Sequence, residues 1–253
     1  MDSLTIAGIV FACTFGAALL GMYLRRILPE SHLGSESKDV VKMGTGLLAT
    51  LAALVLGLLV ASAKNSYDTQ RTGFQQLSTN LIVLDRSLKF YGPETQEIRE
   101  LLRRAVALLL EHRWPTDGSR GRGMDAPEIS ESAIAFYTAI RDLSPKTEYQ
   151  KTIQAQALAV STDLARTRWQ LSQADESSIP GPFLFVLIFW LAVLFTTFGL
   201  FSPRNATVIA VLFICALSVA GALFLITELD RPFNGMIQIS SKPLRDALGQ
   251  LGI

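Results

Sequence analysis

Five residues in one apolar segment have the types and spacing of a hydrophobic gate. They are Leu47, Thr50, Leu51, Leu54 and Leu58. Positions three or four apart share a face of a helix, so the leucines form one stripe with Thr50 beside it. A pore can close by dewetting at such a constriction and select through hydroxyl and backbone groups. Residues 43–63 carry no charged side chain, which argues against the intramembrane acid–base relays of coupled transporters.

Small residues recur about every fourth position on the first two apolar segments. They are Gly8, Ala12 and Gly16 on the first, and Gly46, Ala49, Ala53 and Gly57 on the second. Such faces let helix backbones approach closely. We expect these residues to pack helices together, with direct lining of a pore by the small face as the alternative.

A third group is basic and aromatic, and lies in and beside a glycine-rich loop. It consists of Arg113, Trp114, Arg120 and Arg122. Cationic and amphipathic aromatic side chains together favour contact with anionic lipid headgroups. A solvated loop is the alternative interpretation of the same composition.

Residues suited to enzymatic or metal chemistry are few. The two histidines, His32 and His112, are far apart in sequence, so neither a histidine-rich metal site nor a Ser-His-Asp triad can be assembled. Cys13 and Cys215 lie near the middle of apolar segments, where packing is the expected role. We therefore expect no enzyme, no metal site and no cofactor.

Two charged pairs have the i,i+4 spacing that supports solvent-exposed helices. They are Asp85 with Lys89 and Glu100 with Arg104. Pairs of this kind stabilise a helix surface modestly. We interpret them as solvated helix support and not as catalytic carboxylates.

Composition places these residues in a membrane protein. The chain has 253 residues, of which 49% are hydrophobic, and its net charge of +1 gives no basic field for nucleic acid. The charged residues avoid four stretches: 3–24, 43–63, 177–203 and 205–227. Each stretch reaches the roughly 20 apolar residues that span a bilayer. Four transmembrane helices are predicted, which excludes a water-soluble enzyme.

The predicted fold is all-α, with two spans on either side of an up-down bundle of four extramembrane helices. The predicted domains are a first transmembrane pair at 1–63, a helical bundle at 64–179, a second pair at 180–227 and a docking tail at 228–253. A heptad-like seam at Phe74, Leu77, Leu81, Leu84, Leu88 and Tyr91 predicts that the second span continues as one helix from about Lys38 to Tyr91. In the tail, 236–240 alternates like a short strand, and a helix is predicted to begin near Ser241.

Orientation follows from the basic residues of the short loops. Arg25, Arg26 and Arg204 favour a cytoplasmic position for both loops under the positive-inside rule. The prediction is a multi-pass protein of the bacterial inner (plasma) membrane, N-terminus out and helical bundle outside. Counting the flanks of the bundle reverses the charge tally, which leaves the opposite orientation as the alternative.

Four segments of the sequence resemble a bacterial membrane-protein family of unknown function named bestrophin-like. The segments are LRRILPE at 24–30, SKDVV leading into GTGL at 37–47, LVASAKNSYD at 59–68, and PFNG through PLRD at 232–246. Bestrophins are homo-oligomeric anion channels with two spans on either side of a cytoplasmic helical domain. The resemblance thus implies the same layout and a cytoplasmic bundle.

One departure from bestrophins limits what the resemblance implies. Their second span has a phenylalanine-rich constriction, whereas residues 44–63 contain no aromatic side chain, so no bestrophin site residue is carried over. We expect a homo-oligomer in contact with membrane lipid, acting as an ion channel with inorganic anions as permeant ions. The alternative is a non-conducting structural or sensory protein whose bundle binds a partner or ligand.

Overall fold

The computed structural model describes residues 2–29, 34–115, 123, 126–173, 181–230, 232–233 and 235–252. Within these ranges the regular structure is helical. The helices are α1 (Ser3–Ile27), α2 (Ser35–Tyr91), α3 (Gln96–Arg113), α4 (Pro127–Arg141), α5 (Glu148–Gln173), α6 (Gly181–Phe201), α7 (Ala206–Leu229) and α8 (Lys242–Gln250). The chain divides into two compact units. We call 1–66 with 177–230 the span unit, and 67–176 with 231–253 the polar unit.

The second helix, α2, is continuous over 57 residues and contributes to both units. Proline, which would remove a helix hydrogen bond, is absent from its sequence. In the polar unit, all six residues of the predicted seam are buried, with at most 5% of each side chain's surface exposed. The prediction of one long helix with an apolar seam is confirmed.

The end of α2 is fixed by local chemistry. Gly92 has φ 138°, a conformation that L side chains rarely adopt, and Pro93 opens a single 3-10 turn. The Thr95 hydroxyl is fully buried and lies 2.5 Å from the Leu88 carbonyl oxygen and 2.8 Å from that of Gly92. These contacts satisfy carbonyls that the helix end leaves open, and α3 follows directly.

Four helices are long and apolar enough to cross a membrane: α1, α2, α6 and α7. In the span unit, α1 packs against α6 and α7. A Cβ added to Gly21 would lie 2.0 Å from the Thr196 carbonyl oxygen, and one added to Gly199 would lie 2.0 Å from that of Ala18. The backbones of α1 and α6 therefore meet at two glycines, as expected for helices that pack in lipid.

Two arginine side chains donate hydrogen bonds to backbone carbonyls near the C-terminal ends of α1 and α6. The Arg25 side chain donates a hydrogen bond to the Ser202 carbonyl, after α6. The Arg204 side chain, in the short loop between α6 and α7, donates one to the Met22 carbonyl near the end of α1. Cations at helix C-termini are favourable because the last carbonyls lack partners within the helix.

The polar unit has a core of its own, formed by α2, α3, α4, α5 and the tail. Gln154 on α5 donates to the carbonyls of Ile140, at 2.9 Å, and of Leu143, at 3.0 Å, and so satisfies the end of α4. Gln150 likewise donates to the Tyr91 carbonyl at 3.2 Å. Side-chain amides thus hold α5 to the ends of two other helices.

The tail packs within the polar unit. Leu244 and Leu251 of the α8 region are buried in the core beside Ile239. The helix near Ser241 is confirmed as α8, but the predicted strand at 236–240 is wrong, since these residues form bends and irregular backbone. The side chain of Ile239 is buried in the core of the polar unit, which explains why an apolar residue stands between two polar ones in the sequence. Its backbone carbonyl accepts a hydrogen bond from the Trp114 indole N–H and not from a neighbouring strand.

Candidate pore-lining face

Within the span unit, α2 is buried along one side only. Ala52, Leu59 and Ala63 are each at most 5% exposed and pack in a cluster that includes residues of α1, α6 and α7. Their spacing of seven and four residues places them on one face of the helix. The half-buried Leu48, Val55 and Leu56 pack against the same cluster, and most other side chains of α2 between 43 and 61 are exposed.

The predicted gate leucines lie on that open side. Leu47, Leu54 and Leu58 are 65%, 66% and 63% exposed, and Leu51 is 39% exposed. A stripe of three strongly exposed leucines needs lipid, or another apolar surface, to cover it. We call the stripe together with Thr50 the leucine face.

Thr50 on the leucine face and Thr45, one turn before it, both donate their hydroxyl protons to carbonyls of α2. The Thr50 hydroxyl lies 3.0 Å from the Gly46 carbonyl oxygen and donates to it, and Thr45 donates to the Val41 carbonyl. These bonds keep both side chains compatible with an apolar environment, and the hydroxyl oxygens retain acceptor capacity. The face therefore offers methyl groups and weak dipoles, with no ionisable side chain in 43–63.

The small residues predicted to pack α1 against α2 are not brought together within one chain. A Cβ added to Gly8, Gly16, Gly46 or Gly57 would meet nothing within 4 Å. Ala12 and Ala53 are exposed and Ala49 is half-buried. The close backbone approach of α1 occurs instead at Gly21, against α6, which leaves the small faces of α1 and α2 open.

Arg113 and Trp114, predicted to contact lipid headgroups, instead contact residues of the tail. Arg113 is 5% exposed, and its guanidinium carbon lies 3.5 Å from the centre of the Phe233 ring. The Trp114 indole N–H donates to the Ile239 carbonyl at 2.9 Å, and its ring packs edge to face with Phe74 and Phe233. The buried Arg113 guanidinium is therefore not available to a lipid headgroup, and the half-buried Trp114 holds the tail through its indole N–H. Arg120 and Arg122 lie outside the described residues.

A buried ion pair in the polar unit escaped the sequence interpretation. Nε and Nη2 of Arg99 each donate to an oxygen of Asp85 at 2.9 Å, and both residues are at most 5% exposed. The hydrogen bond to Asp85 raises the pKa of Arg99, against the opposing effect of burial. Asp85 is therefore not part of a solvated pair as predicted, whereas Glu100 does lie 3.3 Å from Arg104 on the surface.

The sequence contains a signal that could have predicted this ion pair. Asp85 follows the seam residue Leu84, and Arg99 follows Ile98, which begins an apolar stripe that continues on α3 through Leu102, Val106 and Leu109. Each charge therefore borders an apolar face. Opposite charges on the borders of two stripes joined by a short turn can meet across the packed helices. The backbone N–H of Gly252 also lies 3.4 Å from Asp85, which ties the end of the tail to the pair.

Comparison with known proteins gives the family. The Bestrophin-like domain matches residues 12–244. A bacterial bestrophin homologue from Klebsiella pneumoniae, solved as a crystal structure of a point mutant, has the same fold with a TM-score of 0.65. The match covers 95% of this chain and 98% of that one at 12% identity. No curated protein matches the chain.

These findings confirm the all-α fold class with four candidate spans, and the resemblance predicted from the sequence. The apolar helices and the family together identify a membrane protein. The match of 12–244 covers most of the 253 residues, so it rests on both units and not on one motif. The chain belongs to the Bestrophin-like family.

Proposed function

We propose that the protein is a homo-oligomeric ion channel in which the leucine face of α2 lines the conducting path and inorganic anions are the permeant ions. The observation that carries the proposal is the position of Leu47, Leu54 and Leu58. They lie away from the packed face of α2 and are about two-thirds exposed. Several copies of α2 around an axis would enclose this stripe as a hydrophobic constriction.

The chemistry of the face supports a passive channel. A carrier coupled to protons generally needs ionisable groups at membrane depth, and 43–63 has none. A constriction of leucine side chains gates by wetting and drying, and selectivity can come from hydroxyls and backbone groups contributed by several subunits. Thr50, beside the stripe, supplies one such hydroxyl.

The open small-residue faces support assembly with further copies. Gly8 and Gly16 on α1 and Gly46 and Gly57 on α2 leave room for a close neighbour. Association in lipid relies on such close packing because the bilayer supplies little hydrophobic driving force. Bestrophins, to which the family is likened, are homo-oligomeric anion channels, so the same organisation is proposed for this chain in contact with membrane lipid.

Reconstitution of the purified protein in planar bilayers tests the proposal. Under a KCl gradient we expect discrete single-channel currents. Their reversal potential should lie closer to the equilibrium potential of chloride than to that of potassium. Leu54→Ala shortens a gate side chain and should raise the open fraction several-fold, because a wider apolar constriction wets more readily.

Leu217→Ala is the matched control, since Leu217 is an exposed leucine on another span at 55% exposure. It should leave conductance unchanged. Absence of conductance in both the wild type and Leu54→Ala, with protein shown to be inserted, would overturn the channel. A monomer by light scattering in mild detergent would overturn the oligomer.

A non-conducting sensory protein is the second candidate. It is favoured by a cavity of about 360 Å³ in the polar unit, whose lining is mainly apolar and includes Arg168. It predicts ligand binding without conductance, so parallel measurements of binding and current on the same preparation separate the two candidates.

For orientation we propose the bacterial plasma membrane, N-terminus out and polar unit outside, on the basis of Arg25, Arg26 and Arg204 in the short loops. Single cysteines at Asp2 and Ser144, both exposed, in a background with Cys13 and Cys215 replaced by alanine, test this. Both positions should react with an impermeant maleimide added to intact spheroplasts. Labelling only after lysis would support the cytoplasmic polar unit that the bestrophin resemblance implies, and would overturn the proposed orientation.

A further inference from the structure

A cavity of about 360 Å³ lies within the polar unit. Its walls come from all four longer helices of that unit, and side chains such as Leu81, Leu102, Leu109 and Phe136 make them mainly apolar. Its volume lies within the range of about 300–1,000 Å³ that small-molecule sites occupy. A cavity with such walls does not hold ordered water well, because water needs several polar partners.

One cation meets this apolar space. Arg168 on α5 lines the cavity, and its Nη1 atom is buried without a hydrogen-bond partner in the part of the chain that the structure describes. Loss of hydration lowers the pKa of Arg168. A buried guanidinium nitrogen without an acceptor is unfavourable, so the site favours a ligand that supplies one.

The two hydroxyl groups that α5 contributes to the cavity lining are not available to donate a hydrogen bond to a ligand. Ser161 donates to the Ala157 carbonyl at 2.8 Å and Thr162 to the Leu158 carbonyl at 2.9 Å. Both hydroxyl protons are thus used within α5. The donor that points to a ligand is therefore Arg168.

Exposed side chains on the lining bring the cavity to the surface. They are Ile134 and Tyr137 on α4, 67% and 41% exposed, and Thr162 and Ala165 on α5. An apolar chain can enter between side chains of this kind. An inorganic anion alone would meet Arg168 but would lose hydration against the leucine walls, and a purely apolar ligand would leave the guanidinium unsatisfied.

We propose that this cavity binds a single-chain carboxylate amphiphile, a free fatty acid, with its head on Arg168 and its chain among Leu81, Leu102 and Phe136. Charge complementarity places the head, and the apolar walls place the chain. The proposal does not depend on ion conduction, because the cavity lies wholly within the polar unit.

Photoaffinity labelling of the full chain in lipid nanodiscs tests the proposal. The probe is laurate with a diazirine at the end of its chain, and unlabelled laurate is the competitor. We expect adducts on cavity-lining peptides of α3 and α4. The methyl ester of the same probe lacks the negative charge, so it should label at least about 10-fold less, which is the size expected for loss of a charge-assisted hydrogen bond.

Three variants locate the site. Arg168→Met should weaken labelling by the acid about 10-fold or more and leave labelling by the ester unchanged. Ala133→Trp, which fills the cavity from α4, should abolish labelling by both. Arg166→Met removes an exposed charge two residues away on the same helix and should change nothing.

The outcomes are decisive in both directions. Equal labelling by acid and ester, or equal loss in Arg166→Met and Arg168→Met, would overturn the proposal. So would adducts confined to the spans, or crosslinks showing that a second copy of the chain fills the cavity. If Ala133→Trp fails to fold, the comparison of acid with ester in Arg168→Met still decides the question.

Discussion

The two parts of α2 pack by different rules although they form one helix. In the span unit its buried positions are Ala52, Leu59 and Ala63, while Leu47, Leu54 and Leu58 are exposed. In the polar unit the large apolar residues of the seam are buried throughout, and Leu84 and Leu88 are fully so. Burial of large side chains within one chain drives folding where water is the alternative, whereas in a membrane lipid or another subunit can cover exposed leucines equally well.

Charge follows the same division. In the polar unit, an Asp–Arg pair is buried between α2 and α3 with both carboxylate oxygens satisfied. In the span unit, Arg25 and Arg204 bind backbone carbonyls near the helix ends. Close glycine contacts hold the first unit, whereas an apolar seam with one buried ion pair holds the second, and each can be disrupted separately.

The largest expected effect is on the buried ion pair. Asp85→Ala leaves Arg99 buried without its carboxylate, which should reduce the free energy of unfolding by about 3–5 kcal/mol. Chemical denaturation of the full chain in one detergent, followed by tryptophan fluorescence, measures it. Glu100→Ala is the control: its pairs with Arg103 and Arg104 are exposed, so the change should stay below about 1 kcal/mol.

A double variant sharpens this test. Asp85→Leu combined with Arg99→Met replaces the pair by apolar side chains and should recover most of the lost stability. If Asp85→Ala costs no more than Glu100→Ala, the buried pair contributes nothing special, and the proposed contrast between the two units fails on this point.

An intermediate effect is expected from one substitution made in both units. Gly21→Ala places a Cβ 2.0 Å from a backbone oxygen of α6, whereas Gly73→Ala places one 2.7 Å from a methyl group of Leu171. Backbone cannot yield without separating the helices, so Gly21→Ala should cost about 1–3 kcal/mol or more. Gly73→Ala should cost less, because a leucine side chain can rotate. Melting temperatures of the two variants provide the comparison.

Gly8→Ala on the same helix as Gly21 is the control, since its added Cβ meets nothing within 4 Å. It should leave the fold intact, and alanine even favours the helix. Loss of the oligomer in Gly8→Ala without loss of the fold would show that the open small face binds another copy. Equal melting temperatures for the variants at Gly8 and Gly21 would contradict the close contact between α1 and α6.

The sequence sufficed for the features that depend on periodicity. Four uncharged stretches predicted the four candidate spans, and the seam from Phe74 to Tyr91 predicted a helix that runs on without a break. Gly92 and Pro93, directly after the seam, are residue types that end a helix, and α2 ends there. These features follow from hydrophobicity and backbone chemistry within one segment, which a single sequence records directly.

Features that depend on which segments meet were not predictable in the same way. Arg113 and Trp114 suggested a headgroup contact because their partners, Phe233 and Ile239, lie more than a hundred residues further along the chain. The small ladder at Gly8 predicted packing that occurs instead at Gly21. The Arg168 cavity is formed by four helices together, so no single segment reveals it.

The smallest predicted effect concerns the tail, which the polar unit holds by an aromatic cluster. Trp114→Phe keeps a smaller aromatic side chain but removes the indole N–H that donates to the Ile239 carbonyl at 2.9 Å, and the lost hydrogen bond alone should cost about 0.5–1.5 kcal/mol. Hydrogen exchange of the amides in α8 measures the loosening. Trp169→Phe, at a side chain that is 63% exposed, should leave those amides unchanged. Unaltered exchange in Trp114→Phe would contradict a role for the hydrogen bond from Trp114 to Ile239. The tail would then be held by apolar burial of Phe233 and the leucines of the α8 region.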